Sequence, residues 1–465
     1  MESGVPTNSH QPPKSSDGHT NVEQFGYKQE LKRSLTFWDL LIYGLVFMVP
    51  IAPFGIYGYV AQGSNGMVAL AYLIGMVGMV FSALSYARMS EAFPIAGSVY
   101  SYAQRGINEH VGFFAGWVIL LDYILVPALL YLVSAAALSD IAPEIPMWIW
   151  LVIFIGINTV INVFGIEITA KANKIIVVLE LIVLVVFVGA AIIAISKGVN
   201  GAEFNFKPIF DKQNFSMSMV MGAVSIAVLS FLGFDAISTL SEETKGGKKV
   251  VGRAIIFSLL VVGVLFIIQT WVAALIWPDY TSFENADVAF YQIAEIAGGS
   301  WLKWTTILAT ALAWGIADAL VAQAAISRIL YSMARDRKLP KILAKVHAKY
   351  KTPYVSTLIV AAISLVVTIG FASQIDSLAS LVNFGALTAF LFLHLSVINY
   401  FVRKQKSKDY LNHLVFPLIG FLIIGYVWFN LDPTSKKLGF VWMAVGILYM
   451  IYLKLTKKDS NLNVE

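Results

Sequence analysis

Cysteine is absent from all 465 residues, so no disulfide, thiolate nucleophile or cysteine-bound metal belongs to this chain. Charge is scarce: Asp, Glu, Lys and Arg together make up 13% of residues against 58% hydrophobic ones, outside the range of soluble globular domains. Metal-ligand spacings, nucleophile motifs and phosphate-cradling glycine loops are also missing, which speaks against an enzyme, a cofactor and a bound metal. A net charge of +5 would suit nucleic acid, but the bases sit in loops between hydrophobic runs, so no nucleic-acid partner is expected. The partner that composition does demand is the lipid bilayer.

Twelve stretches are long and apolar enough to cross a bilayer as helices: roughly 37–60, 67–88, 112–138, 147–166, 173–196, 216–241, 254–277, 302–332, 354–372, 377–401, 412–430 and 438–455. The expected fold is therefore an all-α integral membrane protein. Bases gather in the loops that leave even-numbered spans: Arg88 and Arg105, Lys171 and Lys174, Lys245 to Arg253, Arg335 to Lys351, and Arg403 to Lys408. The opposite loops carry Asp140, Glu144, Asp279, Glu284 and Asp287 instead. This bias predicts both termini in the cytoplasm of a multi-pass plasma-membrane protein. Residues 1–34, rich in Ser, Pro, Asn, Gln and Gly, are expected to be a disordered tail.

Two spans are spoiled in corresponding places. The first, "IYGLVFMVPIAPFGIYGYV", has Pro50, Pro53, Gly55 and Gly58 near its centre, and each proline removes an amide donor. Taken alone it is equally a proline kink. Five spans later, "FLGFD" at 231–235 interrupts the sixth span. Paired interruptions in two halves point to an inverted-repeat transporter with its site at the midplane, spans 1–5 and 6–10 being the repeats. Each break leaves half-helix ends: the amides of Gly55, Ile56 and Tyr57 suit a carboxylate, and the carbonyls of Leu229 to Leu232 suit an amine. Phe231 and Phe234 flank Gly233 and are candidates for a hydrophobic gate.

Three longer motifs, "GFDAISTLSEETK" with "GRAI", "EAFPIAGSVYSYAQRGI", and "ILYSMARDRKLPKILAKVHAKYKTP", resemble the amino acid–polyamine–organocation permeases over nearly the whole chain. "GWVILLDY", "LVNFGALTAFLFLHLSVINYF" and "FPLIGFLIIGYVWFNLD" are most similar to the putrescine importer group. The resemblance implies a leucine-transporter-like fold of 5+5 spans with helices 1 and 6 broken, and ion-driven uptake of an amine or amino acid. On that basis residues 35–401 form the transporter core, 402–456 hold spans 11 and 12, and 457–465 are a second tail. The chain departs from the family pattern twice: members typically have prolines where it has "KGGKKVVGRAI", at a cytoplasmic turn, and diamine importers carry an acid in the first-span break, where "PIAPFGIYG" has none.

Four acids lie deep in apolar segments. Asp122 is about ten residues into the third span, and with Tyr123 it either faces the site or fixes packing. Asp235 caps a second half-helix if helix restarts at Ala236, and it borders the site as well. Glu180 in "IIVVLELIVLVV" is either a proton carrier or a neutral packing acid. Asp318 in "ALAWGIADALVAQ" either pairs with Glu180 as the ion-coupling site or replaces the missing first-span acid as partner of an amine, and Trp314 lies one turn away. His394, among Phe and Leu, reads as a helix-contact histidine. The expectation is a secondary transporter for a putrescine-like amine, with a zwitterionic amino acid as the alternative. Protons are the first choice of coupling ion and sodium the second.

Overall fold

The first span starts with a reciprocal cap: the Thr36 amide donates to Asp39 Oδ2 at 2.9 Å, and the Asp39 amide donates to Thr36 Oγ1 at 3.4 Å. In this computed structural model the described residues are 35–95, 98–164, 169–247, 249–335, 339–350 and 352–455. The expected tails at 1–34 and 457–465 lie outside them, as does Lys248. Among the described residues the fold is helical, and eleven helices are long and apolar enough to span a membrane. The ninth expected span is present as the shorter helix Tyr354–Gly370, which completes a set of twelve.

Chain order displays the repeat directly. A broken span (Phe37–Met48, then Tyr57–Gly63) is followed by a long helix Val68–Ala92, a short one Ser98–Gly106, a long one Glu109–Ile141, and then Met147–Phe164 and Thr169–Ser196. The second half repeats this series: a broken span from Met217 to Ser241, then Lys249–Ile276, Ala289–Gly298, Ser300–Tyr331, Tyr354–Gly370 and Ile375–Lys404. Five crossings are an odd number, so the second half enters from the opposite face and is inverted relative to the first. The eleventh and twelfth spans, Leu411–Phe429 and Pro433–Leu455, follow outside the repeat.

Burial ranks the spans. The third span is 83% buried over its apolar window and is the central post, whereas the twelfth is 17% buried and faces outward. The two are nonetheless locked together. Trp117 Nε1 donates to the Trp442 carbonyl and Trp442 Nε1 to the Trp117 carbonyl, both at 2.9 Å, with the rings stacked 4.8 Å apart. His394 does for the second and tenth spans what the sequence suggests: its ring nitrogens meet Ser85 Oγ at 2.9 Å and Ser82 Oγ at 3.2 Å, fully buried.

Both breaks are irregular backbone inside the bundle, and neighbouring spans satisfy the carbonyls they free. Gln269 of the seventh span donates to the Pro50 carbonyl at 3.0 Å, and Asn383 of the tenth donates to the Ser225 carbonyl at 2.7 Å. The eighth span carries a third irregularity, a π-helical turn at Ala313–Asp318, where Asn158 of the fourth span takes the Gly315 carbonyl at 2.7 Å. At the N-terminal face, Leu35 pairs with the strand-like residue Thr244, tying the start of the first span to the end of the sixth.

Candidate functional site

A cavity of about 70 Å³ lies where the two breaks meet the third and eighth spans. Val49, Ala52, Leu229, Ser230, Leu232 and Gly233 come from the breaks, Asp122 and Tyr123 from the third span, and Trp314 and Asp318 from the π-helical turn. Asp235 completes the lining at the start of the inner half of the sixth span. Three of the four deep acids therefore share one cavity, and none of its described lining residues is basic.

The three carboxylates are not equivalent. Asp235 lies beside the amides of Gly233, Asp235 and Ala236 and near the Tyr123 hydroxyl, polar groups that favour its charged form. The restart differs from the expected one: helix resumes at Phe234, with Gly233 at φ 109° before it, so Asp235 lies inside the first turn and is not the N-cap. Asp122 is 8% exposed and its buried Oδ1 has no hydrogen-bond partner among the described residues. Asp318, also 8% exposed, is turned into the cavity by the π-helical turn, which rotates the following residues relative to a regular helix.

Other expected site residues lie elsewhere. Gly55, Ile56 and Tyr57 do not line the cavity. The short 3₁₀ turn Ala52–Gly55 engages the Ile56 amide, which donates to the Pro53 carbonyl at 3.3 Å. Gly55 instead packs against Val133 and Trp314, and the Tyr57 ring sits edge-on to Phe283 and Phe290. Phe231 and Phe234 are also absent from the lining. Their rings meet neighbouring aromatics, Phe231 with Tyr72 and Phe266, Phe234 with Tyr86 and Phe390, so they pack the bundle outside the cavity lining. Glu180 stands behind the lining, 2% exposed, with Oε2 unpartnered and Asp318 within electrostatic reach.

Toward the N-terminal face Tyr43, Phe47, Tyr123 and Thr239 are partly buried. Toward the other face Phe54 stacks on Phe290 with centroids 3.9 Å apart, and both are sealed. Above them the Tyr59 hydroxyl donates to Asp287, with Asp376 and Tyr291 the nearby titratable groups. Burial pushes the Asp287 carboxyl up; the Tyr59 hydroxyl opposes this and the Asp376 charge adds to it. A pKa raised in the closed arrangement means that closing takes up a proton. Low pH therefore favours closure, and the preference is lost as pH rises from the ordinary aspartate range through the raised value. Since the chain has no native cysteine, Ile56→Cys gives a clean reporter of opening. Tyr59→Phe is expected to raise its labelling by a membrane-impermeant maleimide several-fold, and Asp287→Asn to flatten the pH dependence. Unchanged labelling in Tyr59→Phe would mean that this contact does not hold the face shut.

Sequence reasoning passed over the amides that support the site. Gln269 in "FIIQTWV", Asn383 in "LVNFGAL" and Asn158 in "GINTVIN" are amide side chains within apolar runs, which is the available signal for a bond to freed backbone. Which carbonyl each one meets is a matter of packing.

Comparisons with known proteins bear on this arrangement. The family model described as amino acid permease matches residues 35–453. The low-affinity putrescine importer of Escherichia coli is 34% identical over 437 residues, covering 92% of this chain and 95% of its own. The branched-chain amino acid permease of Bacillus subtilis is 27% identical, covering 94% and 96%, and the methylthioribose transporter of the same organism is also 27% identical over 94% and 96%.

Proposed function

Because the chain belongs to the amino acid permease family, a group of membrane transporters, we propose that its cargo is a small diamine of the putrescine kind, taken up with protons. Its relatives include a putrescine importer and a branched-chain amino acid permease, which supports an amine or an amino acid as cargo. The observation that carries the finer reading is the charge of the cavity: Asp122, Asp235 and Asp318 line it without a described basic residue, and Asp122 Oδ1 has no partner among the described residues. A buried carboxylate oxygen without a donor calls for one, and an ammonium supplies it. An amino acid would need a counterpart for its carboxylate, and the amides of Gly55, Ile56 and Tyr57 do not line the cavity. At about 10–15 Å³ for each water-sized centre, the volume holds roughly five to seven of them, the scale of an unbranched chain of a few heavy atoms.

In this reading Asp122 and Asp318 hold the two ammonium ends, Tyr123 and Trp314 offer aromatic faces, and Asp235 orders the Gly233 turn. Glu180 carries the coupling proton. A proton on Glu180 removes a negative charge behind Asp318, so its loading and release alter the hold on an ammonium at Asp318. The excess of bases in alternate loops supports cytoplasmic termini, with the partly buried Tyr43, Phe47, Tyr123 and Thr239 then on the inner side of the cavity.

Uptake of labelled putrescine into proteoliposomes tests both parts. Unlabelled diamines are expected to compete and branched-chain amino acids to fail; the reverse order would make this an amino acid permease. An imposed pH gradient is expected to drive uptake, and Glu180→Gln to abolish that response while sparing counterflow. Sodium dependence with indifference to the pH gradient would remove the proton from the scheme.

A further inference from the structure

A larger cavity, about 360 Å³, lies apart from the central one, between the outer half of the first span, the loop 197–216 and the end of the seventh span. Aromatic rings of Tyr57, Trp277 and Tyr280 contribute to its lining together with the carboxylates of Glu203 and Asp211 and the ammonium of Lys207. Tyr57 is 1% exposed, and no hydrogen bond to its hydroxyl is formed among the described residues. Asp211 is partly committed, receiving the Gln213 amide at 3.0 Å and the Asn214 side chain at 2.9 Å. Glu203 and Lys207 are exposed on the loop.

We propose that this cavity is a second binding site for an organic ammonium ion, distinct from the transport site. Aromatic faces and carboxylates together are the chemistry that recognises such a cation, and the two carboxylates outnumber the single lysine. The free phenol of a sealed tyrosine adds a hydrogen-bond acceptor for an N–H donor. A cation seated there touches the Tyr57–Gly63 half-helix on one side and the loop and seventh span on the other. It therefore ties a half-helix that moves in alternating access to parts that frame it, and occupancy opposes opening of this face. At high amine concentration uptake declines as the second site fills.

The test is equilibrium binding of radiolabelled putrescine to the purified full chain in lipid nanodiscs, with uptake measured beside it. Wild type is expected to show two classes of site. Glu203→Gln should weaken the second class about tenfold, the effect of losing one charged hydrogen bond, and remove the high-concentration decline. It should leave the first class and low-concentration uptake unchanged, which also reports a folded protein. Lys207→Gln should tighten the second class, because it removes a like charge; weakening instead would show that an anionic group is recognised and overturn the cation assignment. Asp122→Asn should remove the first class and spare the second, so a failure of the transport-site reading is distinguishable from a failure here. A single class in wild type, or a second class indifferent to both loop substitutions, overturns the proposal.

Discussion

Asp122→Asn is expected to lower putrescine uptake efficiency ten- to hundredfold, the consequence of losing a hydrogen bond to a charged group worth about 1.5–3 kcal/mol. The side chain keeps its shape, and the loss of charge falls on the carboxylate whose buried Oδ1 has no hydrogen-bond partner among the described residues. Asp318→Asn should do comparable damage, because its carboxylate enters the same cavity from the eighth span. With a monoamine as cargo, one of the two substitutions becomes harmless, since only one ammonium is present to be held. That comparison separates a two-ended diamine site from a general acidic pocket. Uptake kinetics in proteoliposomes, normalised to reconstituted protein, provide the measurement. An unchanged KM for putrescine in Asp122→Asn would remove Asp122 from the site.

Gly233→Ala carries the second large effect, through backbone and not charge. Gly233 has φ 109°, which disfavours any residue with a Cβ by roughly 1–2 kcal/mol. The added methyl would also lie 2.8 Å from Phe47 Cβ and 3.2 Å from the Phe47 carbonyl carbon, where the sixth-span break rests on the inner half of the first. Overpacking at such a point adds roughly 1–3 kcal/mol. The two broken spans would be forced apart at the cavity wall. Uptake should be lost, and thermal unfolding of the solubilised protein should shift down by several degrees. Gly222→Ala, on the same span with nothing within 4 Å of the new atom, is the matched control and should behave as wild type. Equal behaviour of the two variants would show that the close approach at Gly233 is not needed.

Legibility was uneven along the chain, and the particular residues show why. The twelve spans and both breaks were readable because hydrophobic runs, prolines and an isolated glycine act locally, through the bilayer thickness and through missing amide donors. Asp122, Tyr123, Asp235 and Asp318 were readable as candidates, since acid in hydrocarbon is expensive wherever it faces. The amides at Gly55 to Tyr57 were misplaced because a 3₁₀ turn, invisible in composition, redirects them. Phe231 and Phe234 were misplaced because their direction depends on which neighbours offer rings to pack against, here Tyr72, Phe266, Tyr86 and Phe390.

By itself, then, the sequence determined a bilayer protein with two interrupted spans and a small set of costly buried acids, because each of those properties is local to a segment of about twenty residues. Only the tertiary structure decided which acids share a cavity, which stands behind it, and which freed carbonyls Gln269, Asn383 and Asn158 satisfy. Those outcomes depend on helix rotation and on contacts between residues far apart in the chain, as with Asp318, which ends the π-helical turn Ala313–Asp318 and lines the same cavity as Asp122.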